Sequence, residues 1–475
     1  MLDDTAVPRL HRLIRWLEPF TGCFGHAAQL VSLGAYVAGL FSDSPRKSME
    51  AMLARVTDPP RYQAFQHFIT HSPWKADRVW RRLLAVLPAR RGVLLLDDSG
   101  FPKQGTHSVA VARQYSGTLG KIGNCQVAVT AALWAKGKAW LVGAAIYVPQ
   151  AWFADPARCA RVRLPPQMRF QEKWRLALTL LRRIRAAGIV VTAVVADAGY
   201  GDVTIFRTAL HRLQLVYALG VSSTTAVFRG TPLLRPPAPA HGRGRPATRP
   251  GLAPGVTTIT AAAIAHTWPT TQWTRIQWRN GLQPARAADF AACRVTPAHD
   301  WRRRRLAPEV WLLCERRGGD PPEEKYYLIN LPRRTSLARL VDLVHRRWAI
   351  EQQYADLKTE LGIDHFEGRS YPGWQHHVVI SAVAYAFLQR ERGQDPSGLT
   401  FPQIRAVVQE IFTGLFFAAH PRYLDWIQRA RELLPLRLIG ASGPHAPCRT
   451  ASFTARIHSA HSRQPRPRRG ASRRR

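Results

Sequence analysis

Apolar residues recur at helical spacing through the first 88 residues. Leu10, Leu13, Ile14 and Leu17 form one stripe, and Val31, Leu33, Ala35, Val37 and Ala38 fill a second segment. Ser42-Asp43-Ser44-Pro45 interrupts the pattern, and a helix can restart after it. A third segment, Trp74 to Leu87, sets Val79, Leu83 and Val86 on one face among Arg78, Arg81 and Arg82. The spacing predicts a helical N-terminal domain over residues 1–88, with a basic surface suited to DNA.

From residue 89 the period changes. Val93-Leu94-Leu95-Leu96 leads into Asp97-Asp98, and Val190 to Ala196 leads into Asp197. Short apolar runs bounded by turn residues predict buried strands. Between them lie two strand-like runs, Gln126 to Trp134 and Ala139 to Val148, joined by an Ala135-Lys136-Gly137-Lys138 turn. A helix with Trp174, Ala177, Leu178, Leu181 and Ile184 on one face follows, with Gly188 as its stop. A helix from Thr204 to Leu213 and a strand from Leu215 to Val221 close the segment. The order β-β-β-α-β-α-β over residues 89–225 is that of an RNase H-like core. In that fold the first and fourth strands end side by side, which makes Asp97 and Asp197 neighbours.

Residues 226–334 read as a β-rich insertion. A Pro/Gly/Arg-rich stretch (230–255) reads as an exposed loop. Four strand-like runs follow it: Thr271 to Trp278, Ala288 to Val295, Val310 to Arg316 and Lys325 to Leu331, with the basic loop Arg302 to Arg305 among them. Residues 335–395 return to helical spacing. One helix is predicted from an N-cap at Ser336 to a stop at Gly362, with Leu340, Val344, Arg347/Trp348, Glu351 and Lys358 on one face. Another is predicted over about 375–392. Residues 396–440 read as a C-terminal helical region, and 441–475 as a basic, Ser/Pro/Arg-rich disordered tail. The fold class is therefore α/β: an RNase H-like mixed sheet flanked by helices, with an antiparallel β insertion and a helical N-terminal domain.

Charge narrows the function. Lys and Arg total 68 against 31 Asp and Glu, a net charge of +37, which points to a polyanionic partner. The six cysteines (Cys23, Cys125, Cys159, Cys293, Cys314, Cys448) form no C-x-x-C pair. That argues against a zinc ribbon or disulfide framework and fits a reducing cytoplasm. No apolar stretch is long enough to span a bilayer, and no signal-type segment opens the chain. The Gly117-to-Gly123 loop lacks the phosphate-cradling G-x-x-x-x-G-K-[ST] pattern, so an ATP site is not expected.

A carboxylate ending a buried strand is costly unless it lies in a cleft, is paired, or binds metal. Asp97 and Asp197 are two such carboxylates, and Glu351 sits on the apolar face of its helix. Oxygen-only ligands suit Mg²⁺, and two divalent ions can activate a nucleophile and stabilise a leaving oxygen in phosphodiester chemistry. Asp97, Asp197 and Glu351 are the candidate catalytic and metal-holding residues. Strand alternation lets only one of Asp97 and Asp98 face a cleft, which leaves Asp98 as the alternative first ligand. Arg347, four residues before Glu351, and Lys358, seven after it, form a cationic stripe that is either an ion-pair ladder or a phosphate grip. Lys103 and Lys121 are further candidate phosphate contacts. Trp273 and Trp278 are candidates for base stacking, the alternative being sheet packing.

These segments resemble the DDE-superfamily transposases of bacterial insertion sequences, in the group with a β insertion and a Y-R-E-K signature. The resemblance covers roughly residues 25–395. It rests on Leu96 to Gly105, Ala112 to Gly117, Ala196 to Asp202 and Arg347 through Lys358. Arg347, Glu351 and Lys358 satisfy R-x3-E-x6-K, whereas Val344 stands where the signature has Tyr; Tyr354 is a candidate substitute. The D-x-[ST] pattern of the family matches Asp97-Asp98-Ser99. The resemblance implies Mg²⁺-dependent cleavage (Mn²⁺ substituting) at terminal inverted repeats of double-stranded DNA and strand transfer into target DNA. It also implies a homodimer on paired ends and a bacterial cytoplasmic protein held at the nucleoid through DNA. The competing readings are a catalytically inactive DNA-binding descendant and a nuclease without strand transfer.

Overall fold

The computed structural model describes residues 6–57, 59–117, 120–237, 250–278, 286–299, 301 and 306–419. The chain divides into units 1–419 and 420–475, and every described residue lies in the first. The tail, the end of the C-terminal helical region, the centre of the Pro/Arg-rich loop and Arg302 to Arg305 lie outside the described residues.

The N-terminal segment is helical: α1 (Ala6–Leu17), α2 (Ala27–Phe41), α3 (Met49–Leu53), α4 (Tyr62–Thr70) and α5 (Ala76–Val86). Leu13 and Trp16 of α1 are buried while Ile14 is exposed. The central sheet follows: β1 (Arg91–Pro102), β2 (Ala112–Ser116), β3 (Lys121–Ala135) and β4 (Lys138–Tyr147). Then come α6 (Pro156–Arg161), α7 (Lys173–Ala186), β5 (Val190–Ala196), α8 (Ala198–Gly201), α9 (Thr204–Arg212) and β6 (Tyr217–Val221). β1 runs parallel to β5 and β5 parallel to β6, whereas β3 pairs antiparallel with β1, β2 and β4. This is the mixed sheet expected of an RNase H-like core, with β2 as an added strand.

Each face of this sheet has its own core. Leu94, Leu96, Val194 and Ala196 point into a large cluster shared with α7 and the N-terminal helices. Val93, Leu95, Ala193 and Val195 point into a second cluster, with Leu340, Val344 and Ile350. Burial on both faces explains why β1 and β5 read as continuous apolar runs rather than alternating ones.

Most of the insertion's strands extend the same sheet. The insertion comprises β7 (Ala226–Arg229), β8 (Leu234–Arg235), β9 (Gly251–Leu252), β10 (Ile259–Thr260), α10 (Ala261–His266), β11 (Thr274–Trp278), β12 (Arg286–Pro297), β13 (Val310–Arg317) and β14 (Glu323–Ile329). β14 pairs antiparallel with β6, and β13, β12, β7 and β10 continue outward from it. All four strand-like runs read from the sequence are strands.

The chain then returns through α11 (Leu337–His345), α12 (Trp348–Thr359), α13 (Tyr371–Gln394) and α14 (Phe401–Ala419). The single helix read over 336–362 is thus two. At the break Arg347 N–H donates to the Val344 carbonyl and Ala349 N–H to that of Arg346, the i→i+3 bonds that tighten a helix end. Helix α13 begins earlier than expected, because Ser370 caps it by accepting from Gly373 N–H and Pro372 fits the first turn. It anchors the N-terminal helices. Tyr36 bonds His377 (2.8 Å), the Trp74 and His376 rings stack at 3.6 Å, and Arg12 grips the buried Glu391 through two nitrogens.

Candidate active site

Asp97 does not end its strand. The parallel ladder with β5 stops at Leu96–Ala196, but antiparallel pairing with β3 carries β1 on to Pro102. Asp97 therefore sits where one neighbouring strand has ended and the other continues, which opens a notch beside it. Asp197 follows β5 directly and is the residue before α8. Its placement depends on a close approach: a Cβ on Gly201 would overlap the Gly220 carbonyl, and one on Gly220 would crowd the Ala198 amide. Two glycines thus let α8 lie against β6 and fix the backbone just after Asp197.

Alternation along β1 separates the neighbouring aspartates. Asp97 shares the face of Val93 and Leu95, the side covered by α11 and α12. Asp98 shares the face of Leu94 and Leu96, the side covered by α7. Accordingly, Arg347 Nη1 lies 2.8 Å from Asp97 Oδ2. Asp98 is held by Lys173, the first residue of α7 (2.6 Å), and by the Tyr200 hydroxyl (2.5 Å). Neither Lys173 nor Tyr200 stands out in the sequence as a partner of Asp98, because only the fold brings them across.

Arg347 links the acids. Besides Asp97 it binds Glu351 Oε1 through Nη2 at 2.6 Å, the i,i+4 geometry of α12. Burial works against the Arg347 charge, but Asp97, Glu351 and Asp197 outweigh it and hold its pKa above the ordinary value. Burial pushes the Asp97 carboxyl up to about 7; Arg347 opposes this and Asp197 adds to it. Burial also raises Asp197, again against Arg347. Asp197 Oδ1 is buried with no hydrogen-bond partner, whereas Glu351 is half exposed. Among the described residues no three His, Cys, Asp or Glu side chains are already arranged as a metal cage. The donor set nonetheless suits a hard divalent cation: three carboxylates, one with an orphaned buried oxygen, balanced by one guanidinium.

The remaining candidates divide. Lys358 Nζ donates to the Gly100 carbonyl at 3.0 Å, tying α12 to β1, and burial lowers its pKa. Lys103 is not presented to a ligand. Its ammonium donates to the carbonyls of Asp364 (3.2 Å) and Phe366 (2.6 Å), and burial lowers its pKa to about 8. Lys121 is exposed at the start of β3. The Tyr354 hydroxyl meets Thr130 Oγ1, so it is already engaged within the protein. Trp273 lies under the Arg316 guanidinium at 3.9 Å, and Trp278 packs against His345 and Phe290. Both tryptophans have protein partners on the β insertion.

A family model described as DDE superfamily endonuclease matches residues 19–285. The probable transposase for insertion sequence element IS701 of Microchaete diplosiphon is 30% identical over 190 residues, which is 39% of this chain and 47% of that protein. The chain thus matches about half the length of that relative. No described helix is long and apolar enough to cross a membrane.

Proposed function

Because this chain belongs to the DDE superfamily of endonucleases, we propose that it cuts double-stranded DNA at the terminal inverted repeats of an insertion sequence and joins the ends to target DNA. The observation that carries this reading is the meeting of Asp97, Asp197 and Glu351 around Arg347, from three elements up to 254 residues apart. The similarity to a protein named as a probable transposase supports transposition rather than plain nucleolysis.

Asp97, Asp197 and Glu351 would hold Mg²⁺, with Mn²⁺ as a substitute; bound there, such ions would supply activation of a water or 3′ hydroxyl and charge neutralisation at the leaving oxygen. The engagement of Asp98 by Lys173 and Tyr200 supports Asp97 as the first ligand. Asp98 then positions α7 and α8 behind the site. Arg347 neutralises Asp97 and Glu351 in the absence of substrate. The planar fork of the Arg347 guanidinium would also suit an oxygen pair of the scissile phosphate. Lys358, bonded to Gly100, fixes the distance between α12 and β1 and so between Glu351 and Asp97. The net charge of +37 suits DNA binding by the rest of the molecule, and two copies would be needed to hold paired ends.

The test is cleavage of a duplex carrying the element's own ends, with Mg²⁺ or Mn²⁺, followed by joining of pre-cut ends to a plasmid. Wild type should do both, and Asp197→Ala or Glu351→Ala should do neither while still binding. Binding without cleavage by wild type would establish an inactive DNA-binding descendant, and cleavage without joining a nuclease.

A further inference from the structure

A second basic site lies beyond the end of β1, away from the three acids. A cleft of ≈ 600 Å³ is lined by Thr106, His107, Arg158, Arg161, Val162 and Arg369. Its lining contains three guanidiniums and an imidazole but no carboxylate. Among the described residues none of these arginines is in an ion pair with Asp or Glu, although most carboxylates elsewhere are so paired. Arg161, Arg369 and His107 are exposed. Guanidiniums gathered at one place without carboxylates make a locally positive surface that attracts anions.

The cleft is built rather than incidental. The Arg158 guanidinium lies over the Trp152 ring, 3.7 Å from its centre, and donates to the carbonyls of Thr106 (3.1 Å) and Val111 (3.3 Å). Trp152 Nε1 bonds the same Val111 carbonyl at 3.0 Å. Val109 N–H donates to the Arg369 carbonyl (2.9 Å) and Tyr371 N–H to that of Val162 (2.8 Å). Three segments are thereby stitched together: the loop after β1, helix α6 with its following turn, and the loop after α12. Two of these continue directly from the elements that carry Asp97 and Glu351.

We propose that the Arg158–Arg161–Arg369 cleft is a second DNA-backbone site, gripping phosphates away from the scissile bond. The inference rests on the reading of the protein as a DNA-cutting enzyme. Guanidiniums bind phosphate oxygens bidentately, and an open cleft admits a continuous duplex backbone. The site reads no bases; it sets the register of the duplex over the acids.

The test compares wild type with Arg161→Ala/Arg369→Ala and with a control pair on α7, Arg182→Ala/Arg185→Ala, using a duplex bearing the element's end. The slope of log K against log salt should flatten by roughly 2 in the cleft variant, about 0.9 per lost phosphate contact. A scan of single neutral methylphosphonates should find positions away from the cut that weaken wild type but not the cleft variant. Equal flattening in the control pair, or no such position, would overturn the proposal. Thermal melting of each variant separates these results from misfolding. If wild type itself neither binds nor cuts the duplex, the functional reading fails. If it does both and the cleft variant matches it, only this inference fails.

Discussion

His377 offers a quantitative test of how the N-terminal helices are held to the catalytic unit. It is fully buried, with Nδ1 2.8 Å from the Tyr36 hydroxyl and Nε2 3.0 Å from the Ile363 carbonyl. A carbonyl only accepts, so Nε2 carries the proton and Nδ1 accepts from Tyr36. Burial lowers the pKa of His377 from 6.5 to about 4. As pH falls, the unfolded chain therefore takes up this proton before the folded one. The stabilisation is fully present above pH 6.5 and is lost as pH falls toward 4. The full displacement is worth roughly 3 kcal/mol, of which about 2 kcal/mol is gone by pH 5. In His377→Gln the amide can donate to Ile363 and accept from Tyr36 without titrating. Urea unfolding of both proteins at pH 8, 6 and 5 should show wild type losing about 2 kcal/mol more than the variant between pH 8 and 5. The neighbouring His376, between the Ile69 and Trp74 carbonyls, is common to both proteins and cancels in the difference. Parallel pH curves for the two would refute a buried neutral His377.

Three further outcomes are expected. Gly201→Ala forces a methyl against the Gly220 carbonyl, which should cost about 1–3 kcal/mol in thermal or urea unfolding; an unchanged midpoint would show that α8 and β6 are not in that contact. Asp97→Asn should abolish cleavage, whereas Asp98→Asn should leave measurable cleavage and weaken stability through loss of its charged bond to Lys173, by roughly 1 kcal/mol at that half-exposed pair. Equal loss of cleavage in both would contradict the separation of the two by face. Millimolar Mg²⁺ should raise the melting temperature of wild type but not of Asp197→Asn, because a cation that binds only the folded state stabilises it; an equal rise in both would place the ion elsewhere.

The strand and helix order and the β insertion could be read from the sequence because each leaves a local trace in spacing or in an apolar run. The face of each aspartate could not. β1 is apolar on both sides, so alternation alone does not say which side α12 covers; that follows from the two cores meeting Leu95 and Leu96. The break at Arg346 and Arg347 was hidden because Leu340, Val344, Arg347 and Glu351 keep helical spacing across it. Lys103 reads as an exposed cation until the 364–366 segment folds its carbonyls over it. The arginine cleft left no sequence signal, since its members come from three segments that meet only through Val109–Arg369 and Val162–Tyr371.

Asp97, Asp197 and Glu351 are proposed to form one cation-dependent cutting site. Its most direct measurement is single-turnover cleavage of a duplex carrying the element's terminal repeat, with and without Mg²⁺, by wild type and by Asp197→Asn and Glu351→Gln. Site-specific cleavage by wild type with Mg²⁺ alone, lost by at least about 10³-fold in each variant while duplex binding persists, is the expected result. Cleavage by either variant at the wild-type rate, or by wild type in EDTA, would contradict it.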